Sequence, residues 1–320
     1  MKDIYIADLT VGQEFMGYFM IRQVAVKRAS NGRYYMDLTL ADKTGEISAK
    51  KWDLADEALE KERQYGPGNV IKVAAQVTEF KSMKQLRLTR IRMTNKEDNI
   101  EITDYIKAAP ESGESMYAFI YDAAMGMADL DLAKLCTSQL EKYKEKLLYY
   151  PAASKNHHAE MCGLLWHMKR MLMSGQALCK VYTNLDPDLV AAGVILHDLQ
   201  KTTEILSDEL GVSEGYSFEG KMLGHLVLGV RELDKDMIAL QFDDEKRIMI
   251  EHMILSHHYE PEFGSPVRPL FPEAEMLHYL DVLDAKMYDM EDALLGIRPG
   301  DFSERVWTLN NRTIYKRKNG

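Results

Sequence analysis

Ala191-Ala192-Gly193-Val194-Ile195-Leu196-His197-Asp198 is an apolar run that ends abruptly in two metal-capable side chains. It lies in a stretch, Leu189 to Leu206, that reads as one helix. Adjacent helical residues diverge by about 100°. A metal at the helix edge can therefore be gripped by both and fixed against the buried part of a bundle. Histidine is concentrated around this pair. All nine lie between His157 and His278, and the rest of the chain has none. Imidazole and carboxylate are the usual ligands of Zn, Mn, Fe or Co, and histidines without a metal have no need to gather.

Further ligands follow from the same kind of placement. His167 ends another apolar stretch, Gly163-Leu164-Leu165-Trp166, and Asp281 follows Leu277-His278-Tyr279-Leu280 on a later helix. Two His and two Asp from three helices make a first-row metal site with room left for water. His225 and His257 are surplus to one site, with His258 as the alternative to His257. Asp198 is the natural bridge to a second ion, because its two oxygens can serve two centres. Two ions roughly 3.5–4 Å apart suit phosphodiester hydrolysis. Any one of these histidines alone reads equally well as a structural residue.

Upstream the pattern changes. Phe15 to Val26 is apolar and β-branched in character, and Asn31-Gly32 marks a hairpin, since a type I′ turn needs φ > 0 at both central positions. Arg33 to Ala41 alternates, with Tyr34, Met36, Leu38 and Leu40 on one face. Asp42-Lys43-Thr44-Gly45 turns the chain into a strand from Glu46 to Trp52, and Asp53 to Gln64 is helical in composition. Gly66-Pro67-Gly68 breaks that helix, and Val70 to Phe80 and Gln85 to Met93 form a last hairpin. The order β-β-β-α-β-β in about 80 residues is that of a five-stranded Greek-key barrel, the OB-fold. Such barrels hold single strands with a basic groove and aromatic platforms. The candidates are Tyr35, Lys50, Trp52, Phe80, Lys81, Lys84 and Arg87. Each aromatic alone reads better as core, and each lysine as solvated surface. The conjunction of strand order and charge favours binding.

The expected organisation is an all-β OB-fold barrel over 1–93, a polar linker over 94–113, an all-α helical bundle over 114–300 and a tail over 301–320. In the bundle, helical periodicity runs through Leu130, Leu132, Leu135 and Leu140 and through Leu164, Leu165, Met168 and Leu172. The many methionines there read as core filling. Residues 1–93 hold 16 Lys+Arg against 12 Asp+Glu, about +4, within a chain of net charge −10. The acidic remainder hides a locally basic module, which keeps nucleic acid open as a partner. No apolar run reaches the roughly 18 residues of a membrane span, and the amino terminus lacks a signal-peptide layout. Cys136, Cys162 and Cys179 have no metal-type spacing and suit a reduced, cytoplasmic setting.

The ordered series His167, His197-Asp198, Asp281 resembles the HD-domain metal-dependent phosphohydrolases. The likeness is closer to the YhaM-type 3′→5′ exoribonucleases, which join an OB-fold to an HD domain. It is carried by Lys155-Asn156-His157-His158, Gly163-Leu164-Leu165-Trp166-His167, Ala192 through Leu199, Leu223-Gly224-His225, Leu255-Ser256-His257-His258, Leu277 through Asp281, Asp284-Ala285-Lys286-Met287 and Leu309 through Tyr315. Two positions depart from the family: Gln200 and Tyr259 stand where glycine is common.

The resemblance implies a divalent metal, with two ions expected. Manganese is favoured, and iron, cobalt, zinc and nickel are the other choices. It also implies release of nucleoside 5′-monophosphates from the 3′ end of single-stranded RNA, with single-stranded DNA as a secondary substrate. Three residues take catalytic roles in that picture. Asp198 bridges the ions, Lys201 reaches a phosphate, and His158 orients the phosphate or protonates the leaving oxygen. The alternatives are a phosphohydrolase of small nucleotides whose barrel serves assembly as a homo-oligomer, and a strand-binding protein without catalysis.

Overall fold

The computed structural model describes residues 2–30, 32–54, 65–81, 83–155 and 157–319. The chain forms two compact units, Met1–Ala108 and Ala109–Gly320. The division falls inside the 94–113 stretch.

The first unit is a closed barrel of β1 (Glu14–Arg28), β2 (Tyr34–Asp42), β3 (Gly45–Leu54), β4 (Val70–Phe80) and β5 (Met83–Met93). The strand order is β1-β2-β3-β5-β4, closed by antiparallel pairing of β1 with β4. Only β3 with β5 is parallel. This is the OB-fold. Alternation decides which side chains fill it. Met36, Leu38 and Leu40 of β2, Ile47 and Ala49 of β3 and Leu86 and Leu88 of β5 point inward and are buried. Register shifts between Ile21 and Gln23 and between Ala74 and Ala75 mark where strands bend to close the barrel. Gly32 of the first hairpin has φ +84°, while Asn31 lies outside the described residues. The helix expected over Asp53–Gln64 lies outside them from residue 55 onward, and Asp53 belongs to β3.

Residues 94–108 carry two 3-10 turns, Lys96–Asp98 and Ile102–Asp104, before the buried Tyr105 and Ile106. Arg92 pairs with Asp98 at 2.7 Å and Lys43 with Asp104 at 2.9 Å. Both tie this segment to the barrel.

The second unit is helical: α1 (Gly113–Met125), α2 (Leu130–Leu147), α3 (Gly163–Cys179), α4 (Pro187–Leu196), α5 (Lys201–Glu204), α6 (Phe218–Ala239), α7 (Asp244–Ser256) and α8 (Pro272–Ala293). One small hairpin, β6 (Ile205–Ser207) with β7 (Ser213–Tyr216), interrupts it. α4 is apolar nearly all round, as a central helix must be. Val190, Ala192, Val194, Ile195 and Leu196 are buried in a core with Leu164, Leu165 and Met168 of α3, Met253 and Ile254 of α7 and Leu277 and Leu280 of α8. Each large buried side chain contributes about 1.5–3 kcal/mol. Asp186 caps α4 by accepting from the backbone N–H groups of Asp188 and Leu189, with Pro187 in the first turn.

The expected single helix Leu189 to Leu206 is broken. α4 ends at Leu196, and Lys201 N–H bonds to the Asp198 carbonyl in a tighter turn. β-branched Ile205 then adopts an extended conformation and pairs with Tyr216. The break puts His197 and Asp198 at the carboxyl end of a buried helix instead of along its flank. No helix among the described residues is long and apolar enough to cross a membrane.

Candidate metal centre

Asp198 is 1% exposed, and its two oxygens face different imidazoles. Oδ2 lies 3.3 Å from His197 Nε2 and 3.8 Å from His167 Nε2. Oδ1 lies 3.4 Å from His225 Nε2 and 3.9 Å from His257 Nε2. Asp281 Oδ1 is 3.4 Å from His167 Nε2. α3 supplies His167, the end of α4 supplies His197 and Asp198, α6 supplies His225, the end of α7 supplies His257, and α8 supplies Asp281.

The opposite ring nitrogen of each histidine is held. His167 Nδ1 bonds to Asp284 Oδ2 at 2.7 Å and His225 Nδ1 to Glu204 Oε2 at 2.9 Å. His197 Nδ1 donates to the Val194 carbonyl and His257 Nδ1 to the Ile254 carbonyl, each three residues back. These acceptors fix a proton on Nδ1 and aim Nε2 inward. All four Nε2 atoms and Asp198 Oδ1 are buried without a hydrogen bond. Buried polar atoms are ordinarily satisfied. Orphaned atoms converging from four helices and a turn fit a cation, and a mixed imidazole–carboxylate set fits a first-row divalent metal.

Electrostatics agree. Burial would raise the Asp198 carboxyl, but His197, Lys201 and His225 hold it well below the usual range. Asp281 is likewise held low against burial, by His167 first. Burial would lower His167, yet Asp281 and Asp284 push it up to about 9, so a metal must displace a proton from it. His257 goes the other way, pushed well down by burial and by His258 and His197.

The remaining expected residues fall in three places. Lys201 Nζ is 2.6 Å from Asp198 Oδ2, in the space a cation would share. His258 joins His225 and His257, with candidate ligand atoms of the three within 4.8 Å of one another, so His257 and His258 are both at hand. Its Nδ1 bonds to the Phe263 carbonyl at 2.7 Å. His158, expected to address the phosphate, sits behind the cluster. It is fully buried, and its Nε2 is 2.7 Å from Asp284 Oδ2. It therefore shares an acceptor with His167 and is a positioning residue. His157 is the less buried of that pair. Burial and then the Lys201 charge push its pKa down to about 4.

On the barrel, Tyr35 and Trp52 stack at 4.5 Å, with Lys50 5.5 and 5.7 Å from their rings. Lys50 lies in register with Arg87 on the neighbouring strand. Phe80 is 58% exposed at the tip of the β4–β5 hairpin, with Lys81 over its ring at 5.6 Å. Lys84 is spent differently, donating to the Leu9 carbonyl at 2.6 Å.

The HD domain family matches residues 164–286. The 3′-5′ exoribonuclease YhaM of Geobacillus sp. (strain WCH70) is 39% identical over 96% of this chain and 93% of its own length. That of Oceanobacillus iheyensis is 39% identical over 97% of this chain and 96% of its own. The chain belongs to the YhaM family of 3′-5′ exoribonucleases.

Among solved structures, the second OB-fold domain of replication protein A from Methanococcus maripaludis is 16% identical. The match covers 31% of this chain and 98% of that one, with a TM-score of 0.23. The mitochondrial single-stranded DNA binding protein Rim1 from S. cerevisiae is 12% identical over 27% and 98%, with a TM-score of 0.22. The barrel assignment rests on its own strand order.

In this YhaM-family chain the two departures have clear surroundings. Gln200 is buried and donates to the Tyr143 hydroxyl at 2.6 Å. Tyr259 has φ +68°, a left-handed conformation in which glycine is at ease.

Sequence reading gave no role to Asp284, Glu204 or Arg170. Asp284 Oδ1 is 2.6 Å from Arg170 Nε, while Oδ2 serves His158 and His167. The available signal was helical spacing. Asp284 is three residues after Asp281, and Arg170 three after His167, which places each on its partner's face. Glu204 carried no such signal, being 21 residues from His225 in the chain.

Gly224 is what brings Glu204 and His225 together. Its φ/ψ of 69°/161° is non-helical within α6 and lies in a region open essentially to glycine alone. The break lets the His225 N–H bond to Glu204 Oε1 at 3.2 Å while the ring bonds to Oε2. Gly224→Ala is expected to cost about 1–3 kcal/mol and to loosen His225. Thermal unfolding and metal content measure it, and a variant with unchanged melting and full metal content would remove this role from Gly224.

Proposed function

We propose that the chain shortens single-stranded RNA from its 3′ end, releasing nucleoside 5′-monophosphates, with two divalent ions, manganese first among them, held across Asp198. The observation that carries this reading is the division of imidazoles between the two Asp198 oxygens. Oδ2 faces His197 and His167, with Asp281 against His167; Oδ1 faces His225 and His257, with His258 beside those two. When bound, the ions supply Lewis acidity to the phosphate and acidify water.

The protein residues do the rest. Lys201 presents its ammonium beside Asp198 and can neutralise a non-bridging phosphate oxygen. Asp284 with His158, and Glu204, keep the ligand rings turned inward. The barrel's Tyr35–Trp52 stack, with Lys50 and Arg87 beside it and Phe80 and Lys81 on the hairpin, suits a strand bound by base stacking and phosphate charge without sequence readout. Single-stranded DNA offers the same stacking and charge and is the expected secondary substrate. Free cysteines at 136, 162 and 179 accord with the reducing cytoplasm.

The test is 5′-labelled single-stranded RNA incubated with Mn²⁺. A ladder of products shortened one nucleotide at a time is expected, together with nucleoside 5′-monophosphates. Intact RNA beside hydrolysis of small nucleotides would instead assign the site to the small-substrate phosphohydrolases.

A further inference from the structure

Tyr259 immediately follows the His257–His258 pair and holds φ +68°. For a bulky residue this is an uncommon and strained backbone state, and such states persist where the surroundings enforce them. Two hydrogen bonds do so here. Tyr259 N–H donates to the Ser256 carbonyl and Glu260 N–H to the His258 carbonyl, both at 2.8 Å. The ring gains no deep burial from this, for Tyr259 is only half-buried. It instead lies tilted against His278, with ring centroids 4.7 Å apart and the planes at 36°. His278 is itself fixed, its Nδ1 donating to the His257 carbonyl at 2.7 Å. Arg268 lies 5.0 Å from the Tyr259 ring centroid, held by Glu260 at 3.0 Å and 60% exposed.

The position of this pair decides what it can take. His278 and Asp281 are three apart on α8, so their Cβ atoms are about 5–6 Å apart on one face. Through His278 the Tyr259 ring is thus tied to the face of α8 that carries Asp281, the carboxylate facing His167. A half-buried aromatic ring beside a guanidinium that is 60% exposed takes an unstacked base once the guanidinium lifts from it. We propose that Tyr259, backed by His278, is the stacking site for the base of the 3′-terminal nucleotide, with Arg268 lifting by one aromatic thickness and closing over it. This rests on the exoribonuclease reading and adds the subsite that seats the end of the strand.

The experiment has two arms, both on the full chain. In the first, metal-free protein is titrated with RNA carrying 2-aminopurine as its 3′-terminal base, and fluorescence is read. Wild type and Tyr259→Phe quench the probe, and Tyr259→Gly loses most of the quench. In the second, kcat/KM with Mn²⁺ is compared for RNA ending in a normal and in an abasic 3′ nucleotide. One stacked base corresponds to a preference of about 5- to 150-fold in wild type, and Tyr259→Gly brings the ratio toward one. Glycine relaxes the left-handed backbone, so the melting temperature should not fall and unfolding cannot explain the result. An unchanged ratio in Tyr259→Gly, or a wild-type ratio near one, overturns the subsite while leaving the exoribonuclease standing. If wild type cuts no RNA the exoribonuclease falls, and the fluorescence arm then decides the subsite: an unquenched probe overturns it.

Discussion

Asp198→Asn is expected to lower RNA hydrolysis by about 1,000-fold or more while the helical unit stays folded. The carboxylate faces both imidazole sets, with Oδ2 toward His197 and His167 and Oδ1 toward His225 and His257. Asparagine keeps the shape but replaces one acceptor oxygen with an NH₂ that cannot ligate, and it removes the charge that offsets Lys201 and the imidazoles. Metal ions contribute several kcal/mol of charge stabilisation in phosphoryl chemistry, and 1.36 kcal/mol is tenfold in rate. Losing that contribution gives the stated factor. The fold should survive because α4 is held by Val194, Ile195 and Leu196 in the core. The measurements are turnover, bound metal and circular dichroism. Wild-type turnover with full metal content would remove Asp198 from the centre of the chemistry.

The barrel was legible because its strands obey local rules. Alternation at Met36, Leu38 and Leu40 gave the inward face of β2, and the Asn-Gly and Asp-Lys-Thr-Gly turns gave the strand breaks. The candidate metal-ligating residues were legible because apolar helical runs ended in His or Asp. What stayed hidden was non-local. Leu189 to Leu206 is locally helical in composition, but pairing of Ile205 with Tyr216 is a tertiary effect that overrides propensity. Asp284 accepts from His158 and His167 across 126 and 117 residues. Helical spacing puts Asp284 on the face of Asp281, but no spacing rule reaches from there to His158 or His167. His158 illustrates the cost: adjacent to His157 and close to the motif, it read as a group for substrate, whereas the fold turns it inward. Glu204 ends α5 and pairs with His225, 21 residues on, which no local pattern announces.

Asp284→Asn is expected to raise the Mn²⁺ concentration needed for half-maximal activity by about 10- to 100-fold, the range for the hydrogen-bond partners of metal ligands. One Asp284 oxygen meets both His158 Nε2 and His167 Nδ1 at 2.7 Å, and the other meets Arg170 Nε at 2.6 Å. Arg170 continues to Glu291 at 2.8 Å, and Tyr288 lies tilted against His158 with ring centroids 4.0 Å apart while donating to Glu160. The carboxylate is thus the joint of a buried network that sets the angle of His167. Burial would raise its carboxyl, but His158 and then His167 hold it well below the usual range. Asparagine can accept only through one oxygen, so either the imidazole pair or the guanidinium must face an NH₂, and His167 turns. A turned ligand weakens ion binding but leaves Asp198, Asp281 and Lys201 in place for the chemistry. Saturating Mn²⁺ should therefore restore most of kcat, whereas Asp198→Asn should stay inactive at any concentration. That contrast separates a positioning role from a ligand role, and a mere loss of stability would not produce it. If excess metal fails to restore the Asp284 variant while its circular dichroism matches wild type, Asp284 acts on the substrate itself and the network behind His167 is not what its geometry indicates.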